Sequence, residues 1–144
     1  MRPFGLTDLL LRVGVASALL VSAVIHLRLA DEYSFAFPGG LGGGTMFRLE
    51  AVAALAAVAL VLWWGGVRGH LPALLVLAGA FAAVVLYRYV PIPAIGPVPS
   101  MYEPIWYAEK TVSAIGAGVG SAVAALGVAT ALRRPSYRGK NSPR

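Results

Sequence analysis

Residues 45–64 read TMFRLEAVAALAAVALVLWW, and after Glu50 no charged residue occurs before Arg68. An α-helix needs about 20 apolar residues to cross the hydrocarbon of a bilayer. This run has that length, and it lacks the apolar–polar alternation of a half-buried strand. It predicts a membrane-spanning helix. The same pattern recurs on both sides, at Thr7 to Leu29, Leu71 to Tyr89 and Trp106 to Leu132. Between the runs stand DEYSFAFPGGLGGG, the tight GGVRGH and the proline-studded VPIPAIGPVPSMYEP, segments in which glycine and proline forbid a continued helix. The expected fold class is all-α, a four-helix transmembrane bundle. Residues 1–144 form a single transmembrane domain that ends in a flexible basic tail, 133–144.

Composition agrees with that layout. Of the 144 residues 58% are hydrophobic and 12% charged, about half the charged fraction of a soluble domain. Too few charges remain to clothe a water-facing surface, whereas a chain in lipid needs them only at its ends. Four crossings and their connections use up the length, which leaves no room for a soluble catalytic domain. A cleavable signal peptide is the rival reading of the first run. Ala16-Ser17-Ala18 offers small residues, but the apolar stretch continues past them and Arg12 interrupts it, so a retained helix is expected.

The distribution of charge gives a direction. The N-terminus, the second connection and the tail hold Arg2, Arg12, Arg68, Arg133, Arg134, Arg138, Lys140 and Arg144 against Asp8, a balance of +7. The other side holds Arg28, Arg48, Arg88 and Lys110 against Asp31, Glu32, Glu50, Glu103 and Glu109, a balance of −1. Cations in short connections collect in the cytoplasm, so both termini are expected there, in a multi-pass protein of the cell membrane. The tail RRPSYRGKNSPR reads as a topology anchor beside anionic lipid or, alternatively, as a recruitment site for a cytoplasmic partner. The net charge of +6 would suggest nucleic acid in a soluble protein; here its placement argues for the bilayer as partner and against nucleic acid.

Several chemistries are excluded by residue supply. The chain has no cysteine, which removes disulfide exchange, thiol catalysis and iron–sulfur ligation. Of its two histidines only His26 falls within an expected span, so neither a zinc centre nor a bis-histidine haem is supplied. No metal site is expected. Ser17, Ser22, Ser113 and Ser121 show no pairing to a base, which disfavours hydrolysis; no catalytic residue is assigned, and an enzyme is not the expected reading. GGLGGG lacks the lysine and the strand–helix setting of a phosphate loop and reads as a flexible connector. His70 reads as a helix-start residue.

Helices in lipid pack where small residues let backbones approach. Such faces run Gly14, Ala18, Ser22 to His26 on the first helix and Ala57, Ala54, Ala53 to Glu50 on the second. On the fourth the face runs Gly127, Ala124, Gly120, Gly116 or Ala117, Ser113 to Glu109; a weaker one on the third runs Gly79, Ala83 to Tyr87. Followed at helical spacing, each ends at the extracytoplasmic side in a polar group. His26, Glu50, Tyr87 and Glu109 are therefore expected to meet there as a ligand-binding pocket. Arg28, Arg48, Arg88 and Lys110 are expected as ion-pair and interface residues. Arg48 lies about 200° around the helix from Glu50 and Lys110 about 100° from Glu109, so these two are expected to reach the interface or pair with Asp31, Glu32 and Glu103. The cluster has two readings: a structural cap of ion pairs, or the floor of a pocket for a quinone or lipid headgroup in which His26 exchanges a proton. Trp63 and Trp64 at one boundary, and Tyr87, Tyr89, Trp106 and Tyr107 at the other, read as interfacial belts. Tyr33, Phe35 and Phe37 suit either partner docking or anchoring in the interface.

The segments HLRLADEY, GTMFRLEAVAAL and PIPAIGPVPSMYEPIWYAEKTVSAIG resemble, in patches from Ser22 to Ala125, small four-helix membrane proteins common in actinobacteria and similar to the DoxX-like group in size and layout. The ten arginines against two lysines also look like the product of a high-GC genome. In that group a His-Leu ends the first helix, an aromatic follows in the loop and an acid or amide lies early in the second helix; His26-Leu27, Tyr33 and Glu50 match. The resemblance implies quinone or thiol redox partners, of which a chain without cysteine keeps only a quinone or scaffold role. The first functional expectation is thus a non-catalytic accessory or scaffold subunit of a larger respiratory or transport complex, docking other membrane subunits through its extracytoplasmic loops and helix faces. No cofactor is required, although a bound lipid or quinone is compatible. The alternative is a small-molecule membrane protein using the outer pocket. A self-contained channel is disfavoured, because the polar groups occupy only one half of the bundle.

Overall fold

A computed structural model describes residues 5–133. Four helices follow in order: α1 Leu6–Ala36, α2 Gly43–Trp63, α3 Gly66–Tyr89 and α4 Ala108–Leu132. All four are long and apolar enough to cross a membrane. Among the described residues there is no strand, only an isolated bridge between Ile95 and Val98. The chain is a multi-pass membrane protein of the all-α class. Apart from Arg133, the basic tail lies outside the described residues, as does Arg2.

Each helix packs against its two neighbours around the bundle; α1 and α3 touch slightly across the diagonal, while α2 and α4 do not meet. The α2–α3 turn lies at the same end as the start of α1 and the end of α4, here called the termini end, and the two longer connections, 37–42 and 90–107, lie at the other, here called the loop end. The seam is built mainly of small residues. Ala51, Ala54 and Ala57 of α2, Ala73 of α3, and Ala117 and Ala124 of α4 are buried against Val15, Leu19 and Leu77. With lipid outside there is little hydrophobic gain in bringing helices together, so dispersion between closely placed backbones must hold them. Gly120 shows how close they come: a Cβ there would stand 2.6 Å from the Cβ of Ala18 and 2.9 Å from Leu77. Gly116, its GxxxG partner, is less confined, with Val21 at 3.8 Å.

The expected helix limits move in two places. α1 runs on past Leu29 to Ala36, through a segment read as connection. Its 31 residues span about 46 Å at 1.5 Å each, well beyond the roughly 30 Å of hydrocarbon, so its last turns overhang the bundle at the loop end. The acids and aromatics of ADEYSFA suit a helix that has left the lipid. α3 begins at Gly66 rather than near Leu71, and Pro72, its seventh residue, lies inside it, where proline lacks the N–H that would bond to the Arg68 carbonyl.

GGLGGG is no flexible connector. Gly39, Gly40 and Gly42 have positive φ, open to glycine at low cost, and the Leu41 N–H donates to the Pro97 carbonyl at 2.8 Å. A side chain on Gly44 would overlap Ser34 and the Ala30 carbonyl. These glycines dock the short connection onto the long one and seat the start of α2 against α1.

At the termini end, Arg12 of α1 is buried at 7% exposure. Its Nε donates to Asp8 at 2.8 Å and its Nη1 to the Leu62 carbonyl at 3.0 Å. The guanidinium thereby satisfies a carbonyl left open at the end of α2 and complements that helix's dipole. His70 is also buried there, at 1% exposure, with Nδ1 2.8 Å from the Gly66 carbonyl. It is a packed residue rather than a simple helix start: a Cβ on Gly127 would fall on its ring.

Two stability changes follow. Gly127→Val forces α4 away from His70 and is expected to cost about 1–3 kcal/mol. Arg12→Met removes the buried guanidinium from Asp8 and from the Leu62 carbonyl and is expected to cost about 3–5 kcal/mol, less in the double variant Asp8→Leu/Arg12→Met. Reversible unfolding in detergent micelles measures both; wild-type stability for Gly127→Val would contradict the close packing.

Candidate functional site

The packed faces of α2, α3 and α4 follow steps of three or four residues toward the loop end. On α4 the buried positions are Gly127, Ala124, Gly120, Ala117 and Ser113. The next step of three reaches Lys110, which is buried at 6% exposure, and not Glu109, which is exposed. On α3 the buried face is Ala73, Leu77 and Ala80, continuing to Val84 and Tyr87, in place of the expected Gly79 and Ala83 line. On α2 the face Val61, Ala57, Ala54 is completed by Ala51, which leaves Glu50 half-buried at its margin.

Between these faces a partly enclosed cavity of about 90 Å³ opens at the loop end. Its apolar wall includes Ile25, Leu29, Phe47, Ala80, Val84, Met101 and the exposed Ala83, and its polar lining is His26, Tyr33, Tyr87, Glu103, Tyr107, Lys110 and Ser113. All four helices and the 90–107 connection contribute. Of the four expected pocket residues, His26 and Tyr87 line the cavity, whereas Glu50 and Glu109 do not. Lys110, expected at an interface, is part of the lining. Tyr33 belongs to the site because α1 is longer than expected.

One polar chain holds the mouth together. The Tyr33 hydroxyl lies against a Glu103 carboxylate oxygen in a short hydrogen bond and 2.8 Å from the Tyr107 hydroxyl. A carboxylate only accepts, so Tyr33 donates to Glu103 and Tyr107 donates to Tyr33. Lys110 Nζ donates to the Glu103 carbonyl at 2.5 Å and lies 3.3 Å from its carboxylate, while the Glu103 N–H donates to the Tyr87 carbonyl at 3.0 Å. Glu103 therefore links α1, α3 and α4. The sequence offers it as a partner of Arg48 or Lys110; its signal is weak, since nothing around MYEP marks an acid that ties three helices together.

His26 sits deeper, buried at 8% exposure. Its Nδ1 is 2.8 Å from the Ser22 carbonyl and 3.3 Å from the Ser22 hydroxyl, and its ring lies 4.9 Å from that of Phe47. Phe47 in turn stacks on Tyr33 at 3.9 Å. An aromatic wall thus runs from the histidine to the mouth.

The other cations divide. Arg48 pairs with Asp31 at 2.6 Å on the surface, one of the pairings its helical position suggested. Arg88 packs its guanidinium over Tyr89 and Trp106, at 4.9 and 5.9 Å from the ring centroids, with Nε buried and unpartnered. Arg28 is exposed and makes no ion pair among the described residues. Glu50 keeps one carboxylate oxygen buried without a partner. Among the described residues no group of three or more His, Asp or Glu side chains is placed to hold a metal ion.

Comparison of the chain with protein-family profiles, with curated proteins and with solved structures finds no match in any of the three. The site is therefore read from its own geometry.

If Glu103 clasps the long connection to α1 and α4, Glu103→Ala releases it. Hydrogen exchange across residues 90–107 is expected to rise by about tenfold or more, while exchange in the middle of α2 stays unchanged. Equal protection in the variant and the wild type would show that the prolines alone order this segment.

Proposed function

We propose that this chain is a small-molecule membrane protein that holds the headgroup of an amphiphile, of quinone or lipid kind, in the loop-end cavity. The observation that supports this reading is the cavity itself: polar groups from three helices and a connection converge on a space whose remaining wall is apolar, the composition of a small-ligand site. At about 90 Å³ the cavity is smaller than an apolar one of about 150 Å³ that takes benzene, so it suits a small headgroup or the edge of a ring, with the rest of the amphiphile outside. The chain or ring attached to the head would lie toward the bilayer. The polar mouth fixes orientation, with Lys110 and the Tyr87 hydroxyl as donors, since the Tyr33 and Tyr107 protons are already given to Glu103 and Tyr33. A place among DoxX-like proteins belongs to the same proposal and rests on the resembling segments.

The accessory-subunit reading has one observation in its favour. Phe35, Ile95 and Ile105 at the loop end are 87%, 64% and 68% exposed, and large exposed apolar side chains outside the spans suit docking against another membrane protein. In the proposed orientation both termini face the cytoplasm and the cavity faces outward, in the cell membrane, as the cation distribution favours.

Native mass measurement after gentle extraction is expected to find a small molecule retained by the wild type and lost from His26→Ala, Lys110→Ala and the cavity-filling Ala83→Phe. A constant protein partner that survives all three substitutions, with no small molecule, would favour the subunit reading instead. Because the chain has no cysteine, single cysteines report topology cleanly: Ala94→Cys is expected to react with an impermeant reagent in intact cells and Gly5→Cys only after lysis. The reverse pattern would turn the cavity inward.

A further inference from the structure

The cavity's unused hydrogen-bonding capacity specifies the chemistry of its occupant, an inference that rests on the pocket reading above. At the mouth, Tyr33, Tyr107, Glu103 and Lys110 are already bonded to one another. The Tyr87 hydroxyl, near the loop end of α3, makes no hydrogen bond among the described residues, and deeper in two further lining residues are not so engaged. His26 has its Nδ1 2.8 Å from the Ser22 carbonyl; a carbonyl only accepts, so Nδ1 carries the proton, and in the uncharged ring Nε2 is left as an acceptor. No hydrogen bond reaches Nε2 among the described residues. Ser113 is buried at 4% exposure, and its hydroxyl has no partner. This is unusual within the molecule. Ser34, Thr111, Ser121 and Thr130 each return their hydroxyl to a carbonyl of the chain three or four residues earlier, the ordinary way for a helical hydroxyl to be satisfied in an apolar setting. Ser113 leaves that bond unmade on the one face of α4 that lines the cavity.

We infer that the deep end of the cavity recognises a hydroxyl group, one that donates its proton to His26 Nε2 and accepts from Ser113. A carbonyl or an ether offers no proton to the histidine and leaves it unsatisfied, and discrimination by an unpaired buried group exceeds that from shape alone. The preferred class is a neutral alcohol or phenol on an apolar body. A quinone is disfavoured relative to its hydroxyl-bearing reduced form, because the oxidised ring presents only acceptors. Phe47, 4.9 Å from His26 and 3.9 Å from Tyr33 between ring centroids, supplies an aromatic wall that favours a phenol over an aliphatic alcohol.

The test uses the full chain in lipid nanodiscs, with binding corrected for partition into protein-free discs. The probes are para-pentylphenol, its methyl ether, pentyl-substituted para-benzoquinone and octanol. Para-pentylphenol is expected to bind about tenfold more tightly than the ether or the quinone, with octanol intermediate. His26→Phe is expected to erase that preference, and Ser113→Ala to reduce it. Should His26→Phe fail to fold, the wild-type ranking and Ser113→Ala still decide. Equal binding of phenol, ether and quinone, abolished by Ala83→Phe, would overturn the hydroxyl inference and leave the pocket intact. Octanol binding more tightly than para-pentylphenol would keep the hydroxyl and overturn the phenol preference. No binding above partition for any probe would overturn the pocket together with it.

Discussion

Everything in this molecule depends on how closely its helices approach. Water does not drive helices together inside a bilayer, so the bundle is held by contact between backbones, and contact requires small side chains along the seam. Ala51, Ala54, Ala73 and Ala124 have no exposed surface, and Gly120 and Gly127 leave no room for a methyl group. His70 fits into this seam near the termini end only because Gly127 faces it. The Arg12 cap on α2 closes the same seam at the termini end, where a polar group must meet open carbonyls.

The cavity follows from where that seam stops. Toward the loop end, apart from Gly43 and Gly44 that seat α2 on α1, the alanines and glycines of the interior give way to Phe47, Tyr33, Tyr87, Lys110 and Tyr107, larger side chains that hold the helices apart. The space among them is closed above by the 90–107 connection, whose prolines keep it out of helical form and whose Glu103 ties it to three helices. Tight packing at one end and a lined space at the other are thus two outcomes of one change in side-chain size along the helices.

Much of this was legible in the sequence, because apolar runs of spanning length and small-residue faces are strong one-dimensional signals. His26 and Tyr87 line the cavity, although the lines that led to them run partly off the packed faces, since Gly14, Gly79 and Ala83 are exposed. The failures came from choosing between steps of three and four. On α4 the true face passes from Ser113 to Lys110, and a step of four led to Glu109 on the exposed side. On α2 the same choice selected Glu50 over Ala51. Tyr33 and Glu103 were not assigned to the pocket for another reason. Tyr33 sits on a helical overhang that a count of hydrophobic residues cannot extend past Asp31 and Glu32, and Glu103 sits in a loop whose course is fixed by contacts distant in sequence. The glycines of 39–44 were read as freedom, whereas their lack of a side chain is used for close approach.

The most direct test of a built ligand site at the loop end is an experimental density map of the native protein in lipid, at a resolution that shows side chains. The account predicts non-protein density within hydrogen-bonding distance of His26 and Ser113, with the Tyr107–Tyr33–Glu103–Lys110 chain intact above it. A cavity closed by repacked side chains, or filled by a residue from another chain, would contradict it.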